Sequence, residues 1–499
     1  MGSIDGTWIA PPGEYQKLVK DLCGSDPRLC CPDKKLLKYG IGWETRPVRA
    51  IVFEFTVSSN PGSPTIFNDM GSLQEHIEKQ KKKSKNLNKA IYILENANQA
   101  MVDVIGTHLE VHPSMFMEYE RSAEAPAYNN GHSNLLASTW ATRDYLCMNY
   151  RELVLLPDEV LGNYGLRCTT AGRNVSVTRV NGKFDSVGMV HRRCIFWSKP
   201  RVIQSGWDCV VICDPPVQSV RPSDGKPNEG KEFSLPPKSL DGYVDFVPGH
   251  VQTTTRRGPP RTSLADDLSF YITTHASLLG MGSPDTVALF LKKIVGTHYT
   301  RQFEYFRLKV SETQRSMRRQ SDFTNLDLAS VEANWSDTQT IGRRLDKSCL
   351  DLEEILLQIG APLDPPDPSQ ITSWQDVSVD FRLLYHRFTY MQQSAERANA
   401  SITGLASIAG NRQAFREQQL SLHTAERSRN LTFIGLVFIP LAFISSLFSM
   451  AEPYGPGGKK FWIYFAISIP AVILVIVAYY IFDLVYGVPG LRRREAETY

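Results

Sequence analysis

The sequence predicts an α/β cytosolic domain, then a long helical stalk, then a C-terminal hairpin of two transmembrane helices. Three observations carry this reading. Segments rich in β-branched and aromatic residues recur through the first half, a heptad seam runs unbroken from Trp374 to Ala409, and two long uncharged runs lie close together near the C-terminus.

The strands come first. VRAIVFEFTV (48–57), KAIYILEN (89–96), RNVSVTRV (173–180), VGMVHRRCIFW (187–197) and WDCVVICD (207–214) are each bounded by turn formers and read as strands. Between the second and third, Met101, Val104 and Ile105 have helical spacing, which makes residues 1–282 an α/β domain. Within it, residues 215–262 turn rich in Pro, Gly, Ser and Lys and predict a long mobile excursion. With 499 residues, 42% hydrophobic and 21% charged, the chain is no disordered polymer and can bury a sizeable core.

Several features in this half have plain readings. The net charge of +3 argues neither for nor against a nucleic-acid partner, but the Lys-rich KQKKKSKNLNK (79–89) lacks aromatic interleaving and a basic fold motif, so none is expected. His108 and His112 have the i, i+4 spacing that can hold zinc on a helix. The Glu of the metalloprotease pattern is missing and Pro113 follows, so a structural role is expected for both. Cys209 and Cys213 share one side of a strand and read as core residues. All nine cysteines precede the first uncharged run, on the side predicted to be reducing. The opening MGSIDGTWIAPPGEYQK has neither a signal-peptide pattern nor the myristoylation pattern, so targeting is expected to come from the hairpin. Neither a phosphate-cradling Gly-Lys-Ser/Thr loop nor a nucleophile elbow is present, and His, Cys and acidic residues have no catalytic spacing. An enzyme is not expected, and no cofactor.

Residues 283–430 read as helical. Ser283-Pro284 is a cap followed by a first-turn proline, and Val287, Leu291, Ile294, Val295 and His298 follow at helical spacing. A second helix is predicted from about 322 to Ile359, ended by Gly360 and the prolines beyond it. Then comes the seam: Trp374, Val377, Phe381, Leu384, Phe388, Met391, Ala395, Ala398, Ile402, Leu405 and Ala409 alternate steps of three and four. No turn signal separates this seam from the first uncharged run, so one helix is predicted from about 372 to 450.

Residues 431–450 and 461–482 carry no charge, and each reaches the roughly 20 residues that cross a hydrocarbon core. AEPYGPGGKK between them is a short turn, so 431–484 reads as two spans contacting lipid and 485–499 as a basic tail. Arg412, Arg416, Arg427 and Arg429 precede the first span and Arg492, Arg493 and Arg494 follow the second, against Lys459 and Lys460 in the turn. The positive-inside bias predicts both termini in the cytosol.

This order of elements resembles the CorA-type divalent-cation transporters. LTFIGLVFIPLAFISSLFSM is similar to that family's inner-helix pattern, and AIYILENANQAMVDVIGTHLEVHPSMFMEY to its strand, helix and His-Pro segment around His112-Pro113. The resemblance implies a homo-oligomer, a pentamer in that family, whose inner helices line a pore for Mg²⁺. Stepping by threes and fours from Ser428 gives Leu431, Gly435, Phe438 or Ile439, Ala442, Ser446 and Ser449, small residues broken by large apolar ones. Such a face either lines a pore or packs helix on helix. By resemblance Leu431 takes the place of the family's hydrophobic gate, and Ser428 that of a bulkier residue a turn before it. The chain departs from the family at the motif: Gly-Met-Asn is replaced by Ser449-Met450-Ala451, with Glu452 beside it at the expected outer mouth. Ala451 cannot hold the waters of a hydrated Mg²⁺ as an asparagine ring would, whereas five Glu452 carboxylates would attract a divalent cation by charge. The resemblance also places Asp376 and Asp380 where family members bind regulatory Mg²⁺ between subunits, although acids near a helix start equally suit its dipole. Two functions follow as expectations: a CorA-type divalent-cation transporter or channel driven by gradient and membrane potential, or a membrane-anchored relative without conduction that senses ions or binds partners.

Overall fold

The computed structural model describes residues 9–26, 29, 46–56, 63–83, 87–120, 138, 143–160, 165–180, 183–201, 206–222, 232–236, 242–247, 258–278, 283–320, 328–367, 369, 371, 373–449 and 456–486. They form two compact units, 1–406 and 407–499, described separately.

The first unit is built on one sheet. Its strands are β1 (Arg49–Thr56), β2 (Thr65–Phe67), β3 (Leu87–Glu95), β4 (Tyr145–Leu155), β5 (Leu166–Cys168), β6 (Asn174–Val180), β7 (Lys183–Pro200), β8 (Trp207–Cys213), β9 (Ser219–Pro222) and β10 (Phe233–Ser234). The order is β10-β9-β5-β6-β7-β8-β3-β1-β2, with β4 paired to β7. Only β3 and β8 run parallel among the described pairs, with Lys89 opposite Trp207 and Glu95 opposite Cys213.

The central strands are apolar on both faces because helices cover both. On one side Ile51, Phe53, Ile91, Ile93, Cys209 and Val211 join the core under helices α5 (Leu264–Thr274), α6 (Asp285–Gln320), α7 (Leu328–Gln358) and the start of α8 (Val377–Ser449). On the other, the alternate residues Ala50, Val52, Tyr92, Leu94, Val210 and Ile212 meet α1 (Glu14–Leu22), α2 (Met70–Lys83), α3 (Gln99–Leu109) and α4 (Pro113–Glu120). A smaller core of Leu156, Val175, Val190 and Val220 lies under β5, β6 and β9.

Helix ends follow their capping chemistry. The Asn98 side chain accepts from the N–H of Met101 (2.9 Å) and starts α3, and Ser263 accepts from Asp266 (3.2 Å) and starts α5. Gly360, at φ +67°, ends α7 in the left-handed region that glycine enters without a Cβ clash. The predicted seam is a buried stripe from Val377 through Phe381, Leu384, Phe388, Met391, Ala395 and Ala398 to Ile402, against α6 and α7. Beyond it the helix surface is mostly exposed.

Three expectations are corrected. The helices from 283 onward share one core with the sheet up to residue 406, so no boundary falls at 282/283. α8 begins at Val377, where Asp376 caps it. The 215–262 segment is not a free excursion over its described parts. Val220 pairs with Cys168 and Phe233, while Tyr243 and Val247 are 4% and 3% exposed in the main core. Among its described residues Val217, Val220, Tyr243 and Val247 are buried, whereas Val244 is 85% exposed.

The cysteines and histidines singled out in the first half have defined places in the structure. Cys209 and Cys213 are fully buried, and desolvation pushes both thiols well above their ordinary range. His108 lies 3.7 Å from Glu78, whereas His112 Nδ1 meets Ser114 Oγ at 2.8 Å at the start of α4. Among the described residues no group of three His, Cys, Asp or Glu side chains converges as metal ligands.

Candidate functional site: the apolar hairpin and the stalk acids

The second unit holds the end of α8 and a further helix, α9 (Trp462–Tyr486). Each contains a stretch long and apolar enough to cross a membrane. Two aromatic contacts fix how they pair. Phe433 meets Tyr479 with ring centroids 5.5 Å apart, and Phe448 meets Tyr464 at 6.1 Å, both edge-on. Fifteen residues forward on α8 correspond to fifteen residues back on α9, so the helices form an antiparallel pair in constant register. Phe461, Tyr464 and Phe465 cluster around the start of α9, where Tyr464 supplies the amphipathic ring found at membrane–water interfaces.

This pairing divides the surface of α8. Phe433, Val437, Pro440, Ile444 and Phe448 are partly covered, at steps of three and four. At about 100° per residue their stripe lies roughly opposite the predicted one. Of the predicted stripe, Ser428, Leu431, Phe438, Ile439, Ala442, Ser446 and Ser449 are exposed in the single chain, Leu431 at 74% and Ile439 at 72%. Gly435 is half-buried, yet a Cβ built there meets nothing within 4 Å, so the hairpin itself does not require glycine at this position.

The backbone of this stretch has its own constraints. Pro440 has no N–H, so the Leu436 carbonyl lacks its intrahelical donor. Thr432 Oγ1 donates back to the Ser428 carbonyl at 2.8 Å. Met450, Ala451 and Glu452 lie outside the described residues.

The stalk acids are engaged in different ways. Asp376 is exposed, and its Oδ1 accepts from the Ser378 hydroxyl (2.6 Å) and N–H (3.0 Å), bonds that hold its carboxyl below the usual range. Asp380 pairs with Lys293 of α6, whose ammonium also lies 5.8 Å from the centre of the Trp374 ring. Lys293 carries no periodicity or motif signal in the sequence, and only the packing of α6 on α8 brings it to Asp380. The hairpin's Phe433–Tyr479 and Phe448–Tyr464 pairs were likewise not legible, because aromatic residues occur all around both spans.

A sheet-based unit followed by helices that lead into a pair of membrane-capable helices defines a class: a protein with a C-terminal two-helix hairpin and a large helical and α/β portion before it. Residues 268–486 match the family described as CorA-like Mg²⁺ transporter protein. Among solved structures, the chain is similar to the CorA magnesium transporter from Methanocaldococcus jannaschii, with 10% identity over 88% of this chain and 98% of that one. The TM-score is 0.35, a likeness too loose to carry structural argument. No match is found among curated proteins.

Proposed function

We propose that the protein is a divalent-cation transporter or channel, with Mg²⁺ the first ion to consider, and that it conducts as a homo-oligomer, a pentamer by analogy with the CorA-like family. The observation that carries this reading is the exposed stripe on α8, on the side away from α9, within the part of the chain that matches the CorA-like family. Facing copies of the stripe would alternate narrow apolar rings at Leu431 and Ile439 with room for water at Gly435, Ala442, Ser446 and Ser449. The unpaired Leu436 carbonyl is tolerable beside such a wet cavity. Transport would draw on the ion gradient and the membrane potential, roughly 4.6 kcal/mol per 100 mV for a divalent ion.

Selectivity at the outer mouth would fall to Glu452, since Ala451 offers no side-chain oxygen. Attraction by charge predicts weaker discrimination among divalent cations than coordination through ordered water. Both termini would lie in the cytosol. Asp376 and Asp380 are proposed as a regulatory Mg²⁺ site between subunits, where an ion would compete with Lys293 for Asp380. A bulky side chain in the stripe tests the pore: Ser446→Phe is expected to abolish divalent-cation flux in liposomes while leaving the oligomer intact. Undiminished flux in Ser446→Phe would put the conduction path elsewhere.

A further inference from the structure

A cleft of about 220 Å³ opens in the first unit between the start of α6, the end of α7 and the β4–β7 pair. Its polar lining includes Arg143, Asp144, Ser198, Asp285, Lys292 and Gln358. The two acids there already have donors: Asp144 Oδ2 accepts from Trp197 Nε1 at 3.0 Å, and Asp285 Oδ2 from Ser283 Oγ at 2.8 Å.

The donors are less occupied. Gln358 Oε1 accepts from the N–H of Cys147 at 2.8 Å, which fixes the amide's orientation and leaves its buried Nε2 without a hydrogen-bond partner. Lys292 is half-buried and makes no hydrogen bond or ion pair with any described residue. Burial lowers its ammonium pKa, an effect that Asp285 nearby partly offsets. A buried amide donor and a desolvated cation without acceptors are costly, and a ligand that supplies acceptor oxygens removes that cost.

We infer that this cleft binds a small anion of the phosphate or carboxylate class, held between Lys292 of α6 and Gln358 of α7. Its volume is below the usual range for drug-sized ligands, which limits the occupant to a small acid or a phosphate group. Bound there, the anion would tie the third turn of α6 to the last turn of α7, the two helices against which the first part of α8 packs.

The test uses the full-length protein in detergent micelles with EDTA present, titrated with inorganic phosphate or malonate against chloride at constant ionic strength. Calorimetry and thermal unfolding are the readouts. Saturable binding of either probe with a matching rise in melting temperature is expected, and which probe binds assigns the class. Lys292→Met and Gln358→Leu are each expected to weaken that binding about tenfold or more, the loss of one charge-assisted or amide contact to an anion. Lys79→Met, on an exposed lysine of α2, serves as control and should leave it unchanged. If the Gln358→Leu chain does not fold, Lys292→Met decides alone. No saturable binding by the native chain, or unaltered affinity in Lys292→Met, would overturn the proposal.

Discussion

Replacing Asp214 with alanine is expected to be among the most damaging single changes in the α/β layer. The residue is 2% exposed, at the end of β8, and both carboxylate oxygens are fully engaged. Arg173 donates through Nε at 3.0 Å and 3.1 Å and through Nη2 at 2.8 Å. The Tyr119 hydroxyl and the Arg193 N–H each add a bond of 2.8 Å. Arg173 Nη2 also reaches the Tyr119 carbonyl at 2.9 Å, so the network fastens α4 to the strand ends. Asp214→Ala removes one partner of a buried pair and strands the guanidinium, a loss of about 3–5 kcal/mol. At about 2.1 cal/mol/K per residue, a unit of 406 residues has an unfolding entropy near 0.85 kcal/mol/K, so the melting temperature should fall by about 4–6 °C. Calorimetry measures the shift, and hydrogen exchange on peptides covering 113–120 and 207–214 locates it. The double change Asp214→Ala with Arg173→Met should recover most of the loss, because no charge is then stranded. A melting temperature for Asp214→Ala within about 1 °C of native, without added exchange in those peptides, would refute this reasoning.

Other outcomes follow from the same structure. Burial pushes Asp214 up, but the Arg173 guanidinium outweighs it and holds the carboxyl below its ordinary range, so its contribution to stability is present above the unfolded value and lost as the pH falls through the folded one. Titration of thermal stability below about pH 4 should show this component, and Asp214→Asn should remove it. Glu354 behaves in the opposite sense. Burial, with Asp351 and Glu118 nearby, raises its pKa to about 8, so its contribution is present below the unfolded value and lost as the pH rises through about 8. Glu354→Gln should therefore melt higher than the native protein at pH 9 and about equally at pH 5. Gly106 of α3 faces the Tyr15 ring, and a Cβ there would come within 2.3 Å of it. Gly106→Ala should cost about 1–3 kcal/mol, measured by denaturant titration, because the ring is held by its hydroxyl donating to the Val111 carbonyl at 2.6 Å.

The elements with a single strong period were legible in the sequence. The α8 seam is one, since Phe381, Phe388 and Ala395 can only be buried together if the helix continues. The five predicted strands are all present, but their pairing was not readable: strands apolar on both faces give no alternation to say which neighbour lies beside them. β4, YLCMNYRELVL, was missed because Asn149, Arg151 and Glu152 look like a break. In the fold Arg151 lies 3.1 Å from Asp351 and Arg192 bonds to Glu152, so these charges are buried as pairs. α1 was missed because a short helix, EYQKLVKDL, shows its apolar side only at Tyr15, Val19 and Leu22. Of the candidate site, the stripe from Leu431 to Ser449 was readable as spacing, whereas the side taken by α9 depended on contacts between Phe433, Phe448 and residues distant in the chain.

The central claim is that the α8 stripe conducts divalent cations, and uptake into liposomes measures it most directly. Purified native protein, Ser446→Phe and Ala451→Asn would be reconstituted and tested with Mg²⁺, Zn²⁺, Ni²⁺ and Co²⁺ under an applied potential. The prediction is uptake by the native protein, with modest preference among the ions, and none by Ser446→Phe. Silence in the native protein together with uptake by Ala451→Asn would contradict the claim and leave an anchored scaffold that has lost its ion filter.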